Sequence, residues 1–432
     1  MKLPKIAIVK IILLYLFIQP LVFAADVPQN IILMIIDGGG FNHIDAADYY
    51  QYGKKGKQVY EQFPVKLAMT TYSFGGSYAP NRAVSDFNYV ITGKITDSAA
   101  AATAMSTGVK TSNGSIGVDV NENRLENIIE KCERLGMATG VVTTVPISHA
   151  TPAGFVAHQN SRKSYTQIAD DIINKSELEA VFGCGNPYYD NDGRKIDEGN
   201  FKYISSELWR KLSAGSAEMN LIQDRQDFLN LAEGRTPQKV IGIAQVFKTL
   251  QSSRSGESKT PFDMPLNKNV PTLAEMSSAA LNVLDDDSDG FFVMIEGGAV
   301  DWASHGNNSA RMIEEMIDFE KAVKAVIEWV EKKSSWKKTL VIITTDHETG
   351  YLTGLDGGKF VGNNGKGKLP QAVWNAKGHS NSLVGFFAKG AGAKSFAERA
   401  KNTDPVHGRY MDNTDISNVI FGFLEDKKSQ IK

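Results

Sequence analysis

Short combinations of acid, histidine and hydroxyl recur along this chain, each just after an apolar run. "NIILMII" runs into Asp37 and then "GGG". "GFFVMI" runs into Glu296, followed by "GGAVDWASH" with Asp301 and His305. "TLVIITT" runs into Asp346 and His347, and "ATGVVTTV" leads to "PISHATPAG", with His149 and Thr151. Of the seven histidines, His149, His305, His347 and His379 fall at or near such places. A group of histidines and carboxylates without cysteine suits Zn²⁺ or a similar ion, and Mg²⁺ where the donors are all oxygen. Taken singly, each is ordinary: an Asp after a buried strand commonly caps the next helix, Glu296 before two glycines suits a turn, and Asp301 and His305 suit a helix surface. Their concurrence points to one site.

A nucleophile is offered by "KITDSAAAATAMSTG", residues 94–108. Asp97 or Ser98 caps a run of the best helix former, and Gly108 is a stop. A helix start also favours an anion, which makes Ser98 a nucleophile held beside one. A serine needs a base or a metal to activate it. No G-x-S-x-G elbow surrounds Ser98, and the histidines stand where metal ligands would, so metal activation fits better than a Ser-His-Asp triad.

The elements that must position these residues are short apolar runs without alternation: 30–36, 138–145, 290–295, 339–345 and a further candidate at 382–388. Such runs read as buried parallel strands. Helical patterns lie between them, at 122–136 and 309–333. Alternation of this kind predicts an α/β fold with a mainly parallel sheet. In such sheets ligands bind just beyond the carboxyl ends of the strands, which is where these acids and histidines fall.

The chain has 432 residues, 42% apolar and 22% charged, an ordinary soluble composition. A net charge of −2 and no basic block after the N terminus give no sign of a nucleic-acid-binding surface. Residues 1–24 read as an export signal: Lys2, Lys5 and Lys10, an apolar stretch shorter than a membrane span, then "VFA". The remainder, 25–432, reads as one exported domain with no later membrane span. The stretches 186–270 and 352–377 are polar or glycine-rich and too poor in apolar sequence for a core of their own, so they read as insertions. Cys132 and Cys184 are the only cysteines. Export permits a disulfide, and the sequence leaves open whether they pair.

Taken together, "IILMIIDGGG", "TDSAAAATAMSTG", "SHATPAGFVAHQNSR", "MIEGGAVDWASH", "TTDHETG" and "GHSNS" resemble, in order, the motifs of the bacterial alkaline phosphatases. The resemblance implies a three-layer αβα sandwich and a metal-dependent hydrolase of phosphate monoesters, periplasmic or secreted, and a homodimer by family habit. It implies two Zn²⁺ and one Mg²⁺. Ser98 would become phosphoserine and Arg162 would clamp phosphate oxygens. Asp301, His305 and His379 would hold one Zn²⁺. Asp346 and His347 would hold the other, with Asp37 bridging it to Mg²⁺, and Thr151 and Glu296 would complete the protein ligands of that Mg²⁺. The four carboxylates would leave three divalent cations and Arg162 with a positive excess that phosphate and a serine alkoxide balance.

Two positions depart from the enterobacterial type, where Asp and Lys stand in place of His149 and Trp302. The departure touches the surroundings of the Mg²⁺ site and of the bound phosphate, not the direct ligands. Alternatives are a phosphodiesterase or sulfatase of the same superfamily, and an exported phosphate- or metal-binding protein without catalysis. Thr151 and Glu296 speak against a diesterase, and the lack of a Cys-x-Pro-x-Arg signature around Ser98 against a sulfatase.

Overall fold

The computed structural model describes residues 27–431 of the chain. The apolar runs become the centre of an 11-stranded sheet. Its strands are β1 (Asn30–Ile36), β2 (Val65–Thr70), β3 (Ala138–Pro146), β4 (Ala180–Cys184), β5 (Asn220–Ile222), β6 (Val240–Ile243), β7 (Phe291–Gly297) and β8 (Thr339–Thr344). Two short pairs follow, β9 (Glu348–Thr349) with β12 (His379–Ser380), and β10 (Leu352–Thr353) with β11 (Val373–Trp374). β13 (Val384–Gly390), β14 (Asn402–Asp404) and β15 (Gly408–Asp412) complete the sheet. The order is β14-β15-β2-β13-β8-β1-β7-β3-β4-β6-β5, parallel throughout except where β13 and β14 run the other way.

Alternate residues of β1 serve two cores. Ile31, Leu33 and Ile35 join the one that holds Ala99 and Met105 of the helix Ser98–Thr107, Ala153 and Ile420. Ile32, Met34 and Ile36 join the other, with Ile44, Leu273 and Met312 from the helices Phe41–Tyr52, Leu273–Leu284 and Ser309–Lys333. Strands buried on both faces explain the unbroken apolar runs, and the three layers follow. Cys132 belongs to the first core and Cys184 to the second, on opposite faces of the sheet; both are free thiols.

Register brings the site together. Ile35 on β1 stands level with Glu296 on β7 and Thr344 on β8, and Glu296 is level with Thr143 on β3. Asp37 and Asp346 each lie two residues beyond that line, so the acids that follow the strands share one edge.

Three expectations are corrected. The helix expected over 122–136 is Ile128–Glu133 only, because Asn127 and Glu130 form a reciprocal cap that starts it late. The candidate run at 382–388 becomes β13, antiparallel to both its neighbours. The expected insertion at 186–270 is narrower, since β5 and β6 extend the sheet and the helices Ser206–Ser213 and Arg225–Glu233 belong to the same stretch. β6 is the four-residue run "VIGI", too short to stand out by pattern. The export signal read at 1–24 lies outside the described residues. Among those described, no helix is long and apolar enough to cross a membrane.

Candidate active site

Ser98 is the first residue of its helix. Asp97, not Ser98, caps it, accepting from the Ala100 amide at 3.0 Å. The other oxygen of Asp97 accepts from Arg162 Nη1 and from the Gly114 amide, both at 3.0 Å. One carboxylate therefore fixes both the helix start and the guanidinium that the sequence singles out. Ser98 is almost fully buried, and its Oγ lies 3.1 Å from His347 Nε2.

Around it stand two groups of side chains able to hold a metal: Asp37, Asp346 and His347, and Asp301, His305 and His379, each offering atoms within 4.8 Å of one another. In the first group, His347 Nε2 is 3.2 Å from Asp346 Oδ2 and 3.6 Å from Asp37 Oδ1. The Gly38 and His347 amides donate to Asp346 Oδ1 and aim the carboxylate. Thr151 Oγ1 approaches Asp37 Oδ2 at 3.4 Å. Glu296 accepts from Thr143 and lies within hydrogen-bonding reach of Thr151 and Asp37.

In the second group, Asp301 Oδ1 is 3.3 Å from His305 Nε2 and 3.6 Å from His379 Nε2. His379 Nδ1 donates to the Thr96 carbonyl at 2.8 Å, and His305 Nδ1 donates to the Lys377 carbonyl. A neutral imidazole that donates from Nδ1 keeps its lone pair on Nε2. The two Nε2 atoms face each other at 3.2 Å. The groups adjoin, because the His347 and His379 rings stack with centroids 3.5 Å apart.

The electrostatics test whether metals fit. Burial, and then the charges of Asp346 and Asp301, push the Asp37 carboxyl well above its usual range. Burial, and then Asp301, push Asp346 up to about 8. Asp37 Oδ1, Asp346 Oδ2 and Glu296 Oε1 are buried with no hydrogen-bond partner. Buried, mutually repelling carboxylates with orphaned oxygens, beside the Nε2 atoms of His305, His347 and His379, form a donor set that divalent cations neutralise. Asp301 differs: it too is buried, but the hydrogen bond from His305 and the nearby histidine charges hold it below the carboxylate range. That same bond lifts His305 to about 9. Burial drives His347 well below the usual histidine value.

His149 and Trp302 sit side by side at the margin, ring centroids 5.4 Å apart, with Tyr165 stacked 6.4 Å from His149. Burial, and then the charge of Arg162, lower His149 to about 3, so its imidazole is neutral. Three contributors escaped the sequence reading. Thr143 supports Glu296, a pairing visible only once β3 and β7 are neighbours. Asp97 anchors Arg162 as well as the helix. Thr349 reaches both metal-ligand groups, and nothing in "DHETG" distinguishes it.

Residues 28–364 match the family model for alkaline phosphatase. Alkaline phosphatase 3 of Bacillus subtilis (strain 168) is 34% identical over 342 residues, covering 77% of this chain and 64% of the relative. The match therefore spans less than two thirds of that relative's length. Alkaline phosphatase of Escherichia coli (strain K12) is 31% identical over 347 residues, 74% of this chain and 70% of the relative. Among solved structures, alkaline phosphatase from the Antarctic bacterium TAB5 aligns with a TM-score of 0.66 at 26% identity, covering 93% of this chain and 99% of the other. A histidine-to-aspartate mutant of that enzyme, with a TM-score of 0.64, 26% identity and the same coverage, has Mg bound in its M3 site.

Proposed function

Since the chain belongs to the alkaline phosphatase family, we propose that it hydrolyses phosphate monoesters through a phosphoserine on Ser98. The observation that carries this reading is the convergence of Ser98, Arg162 and two histidine–carboxylate groups on one sheet edge. Asp301, His305 and His379 would hold one Zn²⁺, and Asp346 and His347 the other. Asp37 would bridge the latter to a Mg²⁺ that Thr151 and Glu296 also hold. Bound there, the metals would lower the serine pKa and neutralise charge on the phosphoryl oxygens.

The chain's own residues do the rest. Arg162, pinned by Asp97, presents two parallel N–H groups to two phosphate oxygens. The start of the helix Ser98–Thr107 adds its positive end to the same oxygens. Ser98 Oγ attacks phosphorus as its proton passes to solvent, and the bond from phosphorus to the alcohol oxygen breaks on the opposite side, that oxygen taking a proton from water. Water then cleaves the phosphoserine, returning the hydroxyl and releasing phosphate. His149 stays uncharged near this pocket and holds the Trp302 ring at its margin.

The family and the reading of residues 1–24 support export to the periplasm or medium. Family habit supports a homodimer. Exposed Phe360 and Val406 give an apolar patch that supports it further. Phe360 and Val406 there flank a hollow shared with Phe41 and His407, and sedimentation of the mature chain measures the state.

The test of the activity is metal analysis of the purified protein with turnover of an aryl phosphate and a bis-aryl phosphate. Monoester turnover, with labelled phosphate trapped on Ser98 in acid and lost in Ser98→Ala, is expected. Label on another residue would remove Ser98 from the role. Preference for the diester would favour a phosphodiesterase, and metal uptake without turnover a binding protein.

A further inference from the structure

We propose that Thr349 is a positioning residue that ties the two metal-ligand groups together and sets the tautomer of His347. The inference rests on the metal-dependent reading above. Thr349 is fully buried, and its Oγ1 lies 2.6 Å from Asp301 Oδ1 and 3.2 Å from His347 Nδ1. A hydroxyl has one proton to give, and an ionised carboxylate can only accept. The Thr349 proton therefore goes to Asp301. Toward His347 the same oxygen can then only accept, so His347 Nδ1 must carry the hydrogen. The lone pair is left on Nε2, the atom that faces Ser98, Asp346 and Asp37.

His379 reaches the same tautomer by a different route, donating from Nδ1 to the Thr96 carbonyl. His347 has no such carbonyl, and Thr349 takes its place. The difference matters because a carbonyl serves one histidine, whereas this hydroxyl is shared with Asp301 of the other group. The backbone leaves it little freedom. The Thr349 amide donates to the Gly38 carbonyl at 3.0 Å, and β9 pairs Thr349 with His379 of β12. One buried side chain thus links a ligand of each group, while its strand partner is a third ligand. Loading either group orders the hydroxyl that the other relies on.

The experiment strips the protein with a chelator and returns Zn²⁺ in competition with a chromophoric chelator. Thr349→Val removes the hydroxyl at nearly constant shape, and Thr349→Ser keeps it. Outer partners of metal-bound histidine are typically worth about 10–100-fold in affinity, so a loss of that size is expected in Thr349→Val and restoration in Thr349→Ser. In metal-free protein labelled with ¹⁵N-histidine, His347 should report its proton on Nδ1 in the wild type and a mixture in Thr349→Val. Unchanged affinity with an unchanged tautomer in Thr349→Val would overturn the proposal. So would a loss that Thr349→Ser fails to restore, which would assign the effect to packing. If the wild type takes up no Zn²⁺, the metal-dependent reading fails, and the nitrogen spectrum alone still decides the Thr349 hydrogen bond.

Discussion

Trp302, at the margin of the site, is with His149 one of the two positions read from sequence as departing from the enterobacterial pattern. Its ring lies against neutral His149, whose own protonation Arg162 helps to suppress. An indole has one donor and no charge, so it adds little hold on a phosphate anion. Trp302→Lys should place an ammonium near that anion and strengthen inhibition by inorganic phosphate, by about 1 kcal/mol for one charge-assisted contact. Where product release limits turnover, kcat at alkaline pH should fall with it. The phosphate inhibition constant and the melting temperature of the variant are read together. An unchanged constant with a lowered melting temperature would make Trp302 a packing residue only. The residues of the two candidate metal groups were the most legible part of the sequence, because most lie just beyond a strand-like run and carry a chemical type suited to metal. Thr143, Thr349 and the double duty of Asp97 were not legible. Their importance lies in which neighbour the fold supplies, and a hydroxyl or an N-cap looks the same in sequence whether or not it has one.

At the scale of elements, the turn after β1 has almost no tolerance. Gly38 has φ +77°, and a Cβ there would lie 2.7 Å from Asp301 Cα and 2.9 Å from Thr349 Oγ1. Gly38→Ala combines a strained backbone with a collision against a ligand, and should cost at least about 1–3 kcal/mol. Thermal unfolding with metal analysis should show lowered stability and lowered metal content together. The long helix Ser309–Lys333 carries a different liability. Burial, and then the charges of Asp318 and Glu314, push Glu315 up to about 8, with Arg254 only partly opposing them. A carboxyl raised in the folded state favours folding while it keeps its proton, and that contribution is lost as the pH rises through the folded value. Stability should therefore decline between about pH 5 and pH 8, by roughly 1 kcal/mol per pH unit from this group, and level off above that window. In Glu315→Gln the fall in melting temperature between about pH 5 and pH 8 should be shallower, and an identical fall would clear Glu315. The central strands were readable from unbroken apolar runs, since burial on both faces erases alternation. β5, β6 and the late start of the helix Ile128–Glu133 were not, because short edge strands and a local capping box leave only weak patterns.

For the molecule as a whole, the candidate ligands come from segments as far apart as Asp37 and His379, and no local stretch can assemble the site. Metal and fold should stabilise each other. Chelation is expected to abolish activity and lower the melting temperature, with both restored by Zn²⁺ plus Mg²⁺ but not by Mg²⁺ alone. Full recovery in Mg²⁺ without residual zinc would count against two zinc ions.

The two thiols on opposite faces of the sheet set one more condition on how the molecule comes into being. With Cys132 in one core and Cys184 in the other, no covalent link waits to be forged between them. Maturation then needs no oxidising partner, no isomerase to correct mispaired bonds and no particular redox poise. The chain can reach its working shape without waiting for a sulfur bridge to close.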